Sequence, residues 1–237
     1  MVALALERAG LDPTAVIGGR LSAFGSNARL GQGHYMVAEA DESDRSFLKL
    51  SPSIAVITNI DREHLDHYSG IEEIRAAFSE FIGKVPFYGA SILCLDDENI
   101  QQILPSLNRR TVTYGASAQA DLRVTQSSAG HMGSRFHVQF RDRDLGCFRL
   151  QVPGAHNVLN AAAAAAVALG ASTLLTAFSS WDISAWPFFI FFFLSFLPSS
   201  PPPSPSSSFF SSCSSETAVV FINVWNSGSP DMSSGKV

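Results

Sequence analysis

Cysteine is scarce: Cys94, Cys147 and Cys213 are the only three in 237 residues. They are too few and too scattered for a disulfide framework or a zinc site. Charged residues make up only 16% of the chain, below the usual quarter. Lys and Arg number 16 against 21 Asp and Glu, a formal net charge of −5. No nucleic-acid partner is expected from that balance, because neutralising phosphates needs basic residues in excess. The first ten residues, MVALALERAG, lack a basic start and carry Glu7 and Arg8, so they do not read as a secretory leader. The pattern G-x-x-x-x-G-K-[ST], a phosphate-cradling loop, occurs nowhere in the chain. The length suits one ordinary core, or one and a half.

Composition divides the chain at about Gly170. Residues 171–237 contain four charged residues, Asp182, Glu216, Asp231 and Lys236, together with all three Trp and 10 of the 18 Phe. Their middle, PFFIFFFLSFLPSSPPPSPSSSFFSSCSS, is nearly all Phe, Ser, Pro and Leu. Those four residue types share pyrimidine-rich codons, so the stretch reads as translation of a non-coding pyrimidine-rich tract. The rival reading is a membrane anchor. The apolar run Phe188–Leu197 is ten residues long, half of the ~20 a spanning helix needs. Pro187 and Pro198 flank it, so no membrane span is expected and 171–237 is set aside as a low-complexity, disordered tail.

Residues 1–170 alternate between strand and helix signals. Val2–Ala9 is apolar at helical spacing and ends at Gly10. Thr14–Ile17, Tyr35–Ala40, Ser53–Thr58, Ser91–Leu95 and Thr111–Tyr114 read as strands. SIAVIT, at 53–58, is continuously apolar, which suits a sheet buried on both faces. Ile71, Ile74, Phe78 and Ile82 form one helical stripe, and Asp96-Asp97-Glu98 can cap a helix over Asn99–Leu104. DLRVTQ, SRFHVQF and CFRLQV alternate by two, with turns expected at Ser128–Gly133 and Asp142–Gly146. Asn157–Leu169 is an Ala-rich helix expected to stop at Gly170. The fold class is therefore α/β, a mostly parallel sheet flanked by helices, with a small antiparallel β patch.

Three segments carry chemistry. Glu39-Ala40-Asp41-Glu42-Ser43-Asp44 follows a strand directly. In open α/β sheets ligands sit beyond the carboxyl ends of strands, and clustered acids there suit Mg²⁺, a cation that takes oxygen ligands; the plain alternative is a solvated acidic loop. Thr58–His67 follows the next strand. His64 in it can ligate a metal, orient a phosphate or titrate near neutrality, or be an ordinary surface histidine. Pro153-Gly154-Ala155-His156-Asn157 leads into a helix. A helix N-terminus attracts anions and an Asn amide can pair with a nucleobase edge; simple capping by Asn157 explains the same residues.

VAEADESD (37–44), SPSIAVITNIDREHLD (51–66), VPFYG (85–89) and PGAHNVLNAAAA (153–164), in this order, resemble the Mur ligases. GLDPTAVIGG (10–19) and GSNARLGQGHY (25–35) fit the alanine-adding branch of that family. The resemblance covers roughly residues 1–170 and implies the family's central, ATP-binding domain. It implies an ATP-dependent, cytoplasmic enzyme of peptidoglycan synthesis that joins L-alanine to UDP-N-acetylmuramate through an acyl phosphate. Residue by residue, Glu39 matches the family's Mg²⁺-binding glutamate and His64 its second metal-site histidine. His156 and Asn157 match the adenine-contacting pair, while Asp41, Glu42, Ser43 and Asp44 match the substrate-facing loop. The family's phosphate loop and the strand before it have no counterpart in the 237 residues, and neither do its outer domains. The 237-residue chain alone is therefore expected to be an inactive fragment. A non-catalytic interaction module, docking through an open sheet edge or the apolar tail, is the alternative, and a misassembled gene product is another. Arg45 stands where the family often has a small residue, and Ile71–Ile82 lacks the lysine that some sister ligases carry in that helix.

Overall fold

The computed structural model describes residues 1–21, 25–63, 66–130, 133–178 and 218–223. Among them ten strands form one sheet in the order β2-β1-β3-β10-β4-β5-β6-β7-β8-β9. The strands are β1 (Thr14–Leu21), β2 (Ser26–Arg29), β3 (Tyr35–Glu39), β4 (Ile54–Ile57), β5 (Ala90–Cys94), β6 (Thr111–Gly115), β7 (Leu122–Gly130), β8 (Gly133–Phe140), β9 (Arg143–Leu150) and β10 (Ala218–Asn223). From β1 through β3, β10, β4, β5 and β6 to β7 every neighbour is parallel. β2, β8 and β9 add antiparallel pairs at the two margins. The antiparallel patch expected from the alternating segments is thus an extension of the parallel sheet, joined where Tyr114 and Gly115 pair with Leu122 and Arg123.

The core lies along the middle strands. Ile54, Ala55, Val56 and Ile57 are all 0% exposed, and β5 is buried throughout, as continuous apolar runs require of a sheet covered on both faces. The helix α4 (Ala155–Phe178) lies against β4–β8 and against α1 (Val2–Arg8). Its alanines bury Ala162, Ala163 and Ala166 beside Val158 and Val167. The helix α2 (Ile71–Gly83) buries Ile74, Ala77, Phe78, Phe81 and Ile82, close to the periodic stripe. It packs on α3 (Glu98–Ile103) and on the 3-10 turn Ser46–Lys49. Asp97 caps α3 by accepting from the Ile100 N–H at 2.8 Å.

Four features differ from the sequence reading. The helix α4 runs through Gly170 to Phe178, because one interior glycine costs only ~1 kcal/mol and the alanines around it favour the helix. β7 continues to Gly130 and β8 begins at Gly133, so Ser128–Gly130 and Gly133 are strand where a turn is expected, and residues 131–132 lie outside the described residues. The β8–β9 turn is the pair Arg141-Asp142, and Gly146 lies within β9 where the register shifts by a bulge. The division at residue 170 is not followed by the backbone: α4 crosses it, and Ala218–Asn223, inside the expected tail, pairs between β3 and β4. The sheet interior is accordingly continuous at that place, not open. Cys213 and the run Phe188–Leu197 lie outside the described residues. No helix among the described residues is long and apolar enough to cross a membrane.

Candidate functional site

The parallel strands bring the carboxyl ends of β3, β4, β5 and β6 to one edge of the sheet. Glu39 is the last residue of β3 and its only exposed one. The backbone N–H of Gly18 on neighbouring β1 donates to Glu39 Oε2 at 2.7 Å. A Cβ at Gly18 would sit 3.3 Å from that oxygen, so the glycine lets the carboxylate lie close over β1. The result is a carboxylate tethered through one oxygen at a strand end and open to solvent on the other side.

The four residues after Ala40 serve first to shape the loop. Asp41 Oδ1 accepts from the Ser43 N–H, and Asp44 Oδ1 from the Ser46 N–H, both at 2.9 Å. These are successive Asx turns, and the bonds from Ser46 hold the Asp44 carboxyl below its ordinary value. The Glu42 carbonyl accepts from the Tyr68 hydroxyl at 2.8 Å. Arg45 has φ +64°, a left-handed conformation. Its guanidinium pairs with Glu73 on α2 and lies 5.2 Å from the centre of the Tyr68 ring. The Ser69 N–H and hydroxyl, with Arg45, hold the Glu73 carboxyl down at about 2. Burial pushes the Tyr68 hydroxyl up to about 12. Phe47, 1% exposed, then anchors the loop between Phe78 and Phe81 of α2.

The loop after β4 is fixed from the neighbouring strand's helix. Ile60 is 1% exposed; its N–H donates to Asp97 Oδ2 at 3.4 Å and its carbonyl accepts from Asn99 Nδ2 at 2.6 Å. Arg75 of α2 donates to Asn99 Oδ1. Burial raises the Asp97 carboxyl above its ordinary value. His64 lies outside the described residues, so the expected pairing of Glu39 with His64 is not placed. One strand further on, Asp96 accepts from the N–H groups of Ala116 and Ser117 at 2.7 and 2.9 Å. Gly115, φ +153°, makes room for it, since a Cβ there would lie 2.5 Å from Asp96 Oδ1. Sequence reading gave Asp96 and Asp97 only as helix-capping acids and missed Asn99, Arg75 and Gly115. Their partners are far along the chain, and no local spacing announces them.

The third segment starts α4. Gly154 has φ +111°, and a Cβ on it would meet the His156 ring at 2.7 Å. Asn157 Nδ2 donates to the Pro153 carbonyl at 2.7 Å. The helix begins at Ala155, so Asn157 is inside the first turn and braces it; it is not the capping residue. These bonds keep Asn157 within its own segment, whereas Glu39 and Asp41–Asp44 stand together at the end of β3. No group of three or more His, Cys, Asp or Glu among the described residues forms a metal cage. Mg²⁺ does not need one, because it binds through one or two carboxylates and completes its shell with phosphate oxygens and water. Glu39 fits that pattern. A cavity of about 310 Å³ opens between β7, β8 and β9, lined by Ser128, Ser134, Arg135 and Arg149 among others, and takes in none of the predicted residues.

The strand order, the carboxylate of Glu39 at the end of β3 and the helix opened by Pro153-Gly154-Ala155-His156-Asn157 define an open, mostly parallel α/β domain with its polar loops at the carboxyl ends of the strands. The chain belongs to the Mur ligase family: residues 20–168 match the Mur ligase middle domain. That span contains Glu39, Asp41–Asp44, His64, His156 and Asn157. Over 170 residues the chain is 59% identical to the UDP-N-acetylmuramate–L-alanine ligase of Solibacter usitatus, covering 71% of this chain and 36% of the relative. The enzyme of that name from Geotalea daltonii is 57% identical over 168 residues, covering 71% and 37%. The chain thus spans little more than a third of the length of these relatives. Among solved structures, UDP-N-acetylmuramate-alanine ligase MurC from Thermotoga maritima superposes with a TM-score of 0.62 at 26% identity, over 82% of this chain and 41% of that one. The UDP-N-acetylmuramate:L-alanyl-gamma-D-glutamyl-meso-diaminopimelate ligase of Neisseria meningitides gives 0.64 at 26% identity, over 72% and 56%.

Proposed function

We propose that this chain represents the central, nucleotide-binding part of a UDP-N-acetylmuramate–L-alanine ligase, a cytoplasmic enzyme of peptidoglycan synthesis. The observation that carries the reading is the middle-domain match with relatives of that name at 55–59% identity. The position of Glu39 supports it. At the carboxyl end of β3, with Oε2 held by Gly18, the carboxylate is placed to hold Mg²⁺ that accompanies ATP phosphates. ATP·Mg²⁺, when bound, supplies the phosphoryl group that turns the muramyl carboxylate into an acyl phosphate, which the amine of L-alanine attacks. The chain's own share is positioning, since phosphoryl transfer relies on placement and charge neutralisation. Glu39 orients the cation, and His64, by the family resemblance, serves as a further metal-site residue. The Asp41–Asp44 loop, braced through Arg45 and Phe47 on α2, faces the substrate side. His156 and Asn157 meet the adenine at the α4 N-terminus.

The 237 residues hold no G-x-x-x-x-G-K-[ST] pattern, so on this reading they bind ATP·Mg²⁺ weakly and do not form the amide by themselves. Calorimetric titration with ATP in Mg²⁺ tests it. Weak binding that requires Mg²⁺ and drops at least about tenfold in Glu39→Gln is the expected result; glutamine keeps an acceptor for Gly18 and removes the charge. Binding indifferent to Mg²⁺ and to Glu39→Gln refutes the site. ATP-dependent alanine ligation by the isolated chain refutes the fragment reading.

A further inference from the structure

β3 and β4 follow one another in the chain yet do not pair. Residues 40–53 cross over one strand place, and β10 fills it. Ala218–Ile222 lie level with Tyr35–Glu39 on one side, and Val220–Asn223 lie level with Ile54–Ile57 on the other. The inserted strand comes from beyond residues 179–217, while β1–β9 derive from the first 150 residues.

We infer that the place between β3 and β4 is a strand-acceptor slot, filled in cis by the chain's own Ala218–Asn223 as a separable segment. Three observations carry this. Without β10 the inner edges of β3 and β4 lose their ladder partners, and they lie in the most deeply buried part of the sheet, where β4 is 0% exposed. Unpaired backbone groups there are costly, so the slot favours any strand that completes it. AVVFIN has no charge, Pro or Gly and is rich in the β-branched and aromatic residues that suit a strand covered on both faces. The connection of 39 residues, 179–217, imposes only a slowly growing closure cost, and filling by the chain's own strand is an intramolecular event with which a free peptide must compete. A free peptide of the same sequence can therefore occupy the slot once the tethered strand is disabled. This inference does not depend on nucleotide binding.

The test uses the full 237-residue chain. Amide hydrogen exchange read by mass spectrometry should show 218–223 protected comparably to 54–57, independent of protein concentration. Exchange at the rate of the free peptide overturns the proposal. Loss of the protection on dilution, with a dimer coming apart, overturns filling in cis. Val220→Pro and Phe221→Pro, made singly, remove ladder donors on the two sides of the strand. Each should speed exchange in 35–39 and 54–57 at least about tenfold while sparing 122–124, and Ser212→Pro, outside the strand, should change neither. A fluorescent peptide spanning Glu216–Val224 should bind the Phe221→Pro chain at micromolar concentration and leave the parent unlabelled. Unchanged exchange in both proline variants, or equal peptide binding to parent and variant, refutes the slot. If the proline variants do not fold, exchange of 218–223 in the parent decides the question alone.

Discussion

Phe47→Ala tests how the acidic loop is held on the sheet. Phe47 follows Asp41–Asp44 closely, is 1% exposed, and its ring centre lies 5.2 Å from that of Phe78 and 5.1 Å from that of Phe81. Burying a phenylalanine takes roughly 150–200 Å² out of water, worth about 4 kcal/mol at about 25 cal/mol per Å². Alanine keeps the Cβ, so roughly 3 kcal/mol of transfer is lost. The two tilted aromatic contacts and the residual cavity bring the expected loss to about 4 kcal/mol, within the range for buried Phe→Ala. Phe47→Leu keeps most of the volume and should cost about 1.5 kcal/mol or less. A domain of this size has roughly 5–15 kcal/mol in total, so the alanine variant should still fold at low temperature. Urea unfolding followed by circular dichroism reads the difference from the midpoints at constant slope. Hydrogen exchange in 43–48 should rise in Phe47→Ala and stay near the parent in Phe47→Leu. A loss below about 1 kcal/mol for alanine, or equal losses for alanine and leucine, would show that the aromatic seat on α2 does not hold the loop.

Further outcomes follow from other places in the fold. Gly170 lies inside α4 with nothing within 4 Å of where a Cβ would stand, so Gly170→Ala should stabilise by about 0.5–1 kcal/mol in thermal unfolding; destabilisation would mean the helix does not run through this position. Glu73 is depressed to about 2 from an ordinary 4.5. Its contribution is therefore complete above pH 4.5 and lost as pH falls through about 2, and Glu73→Gln should flatten that acid limb of the unfolding midpoint. Tyr68 is raised to about 12 from 10; as an acid kept neutral by the fold it stabilises below pH 10, a contribution lost as pH rises toward about 12, and Tyr68→Phe should remove that alkaline loss. Burial pushes the Cys94 thiol up to about 11 from 9, roughly a hundredfold less thiolate, while Cys147 is exposed. Peptide mapping after brief iodoacetamide treatment should find Cys147 modified and Cys94 modified only on unfolding; equal labelling would contradict the burial of β5.

What could be read from the chain alone depended on how local the cause was. SIAVIT and ASILC announce themselves because burial on both faces leaves no polar alternation, and the stripe of α2 follows from one helix face meeting the core. β2 carries no such signal: Ser26–Arg29 is almost wholly exposed and is a strand because Ala15 and Val16 of β1 pair with Arg29 and Ala28. The β8–β9 turn falls at Arg141-Asp142, ahead of the glycine that marks the expected turn, because its left-handed residue is Arg141. Ala218–Asn223 is not legible as a strand in the sequence because a run of five apolar residues is a weak signal beside a long Ser/Phe/Pro stretch, and only the place between β3 and β4 gives it a role. The site divides the same way. Strand ends and acids could be counted along the chain; which oxygens are already engaged could not. Both oxygens of Asp96 serve backbone N–H groups about twenty residues away, and Asp41 and Asp44 each give an oxygen to their own turns. Glu39 gives one to Gly18, and Oε1 has no hydrogen bond among the described residues while the side chain faces solvent. Its open oxygen at the end of a buried strand, more than the number of acids around it, sets Glu39 apart as the place for a cation.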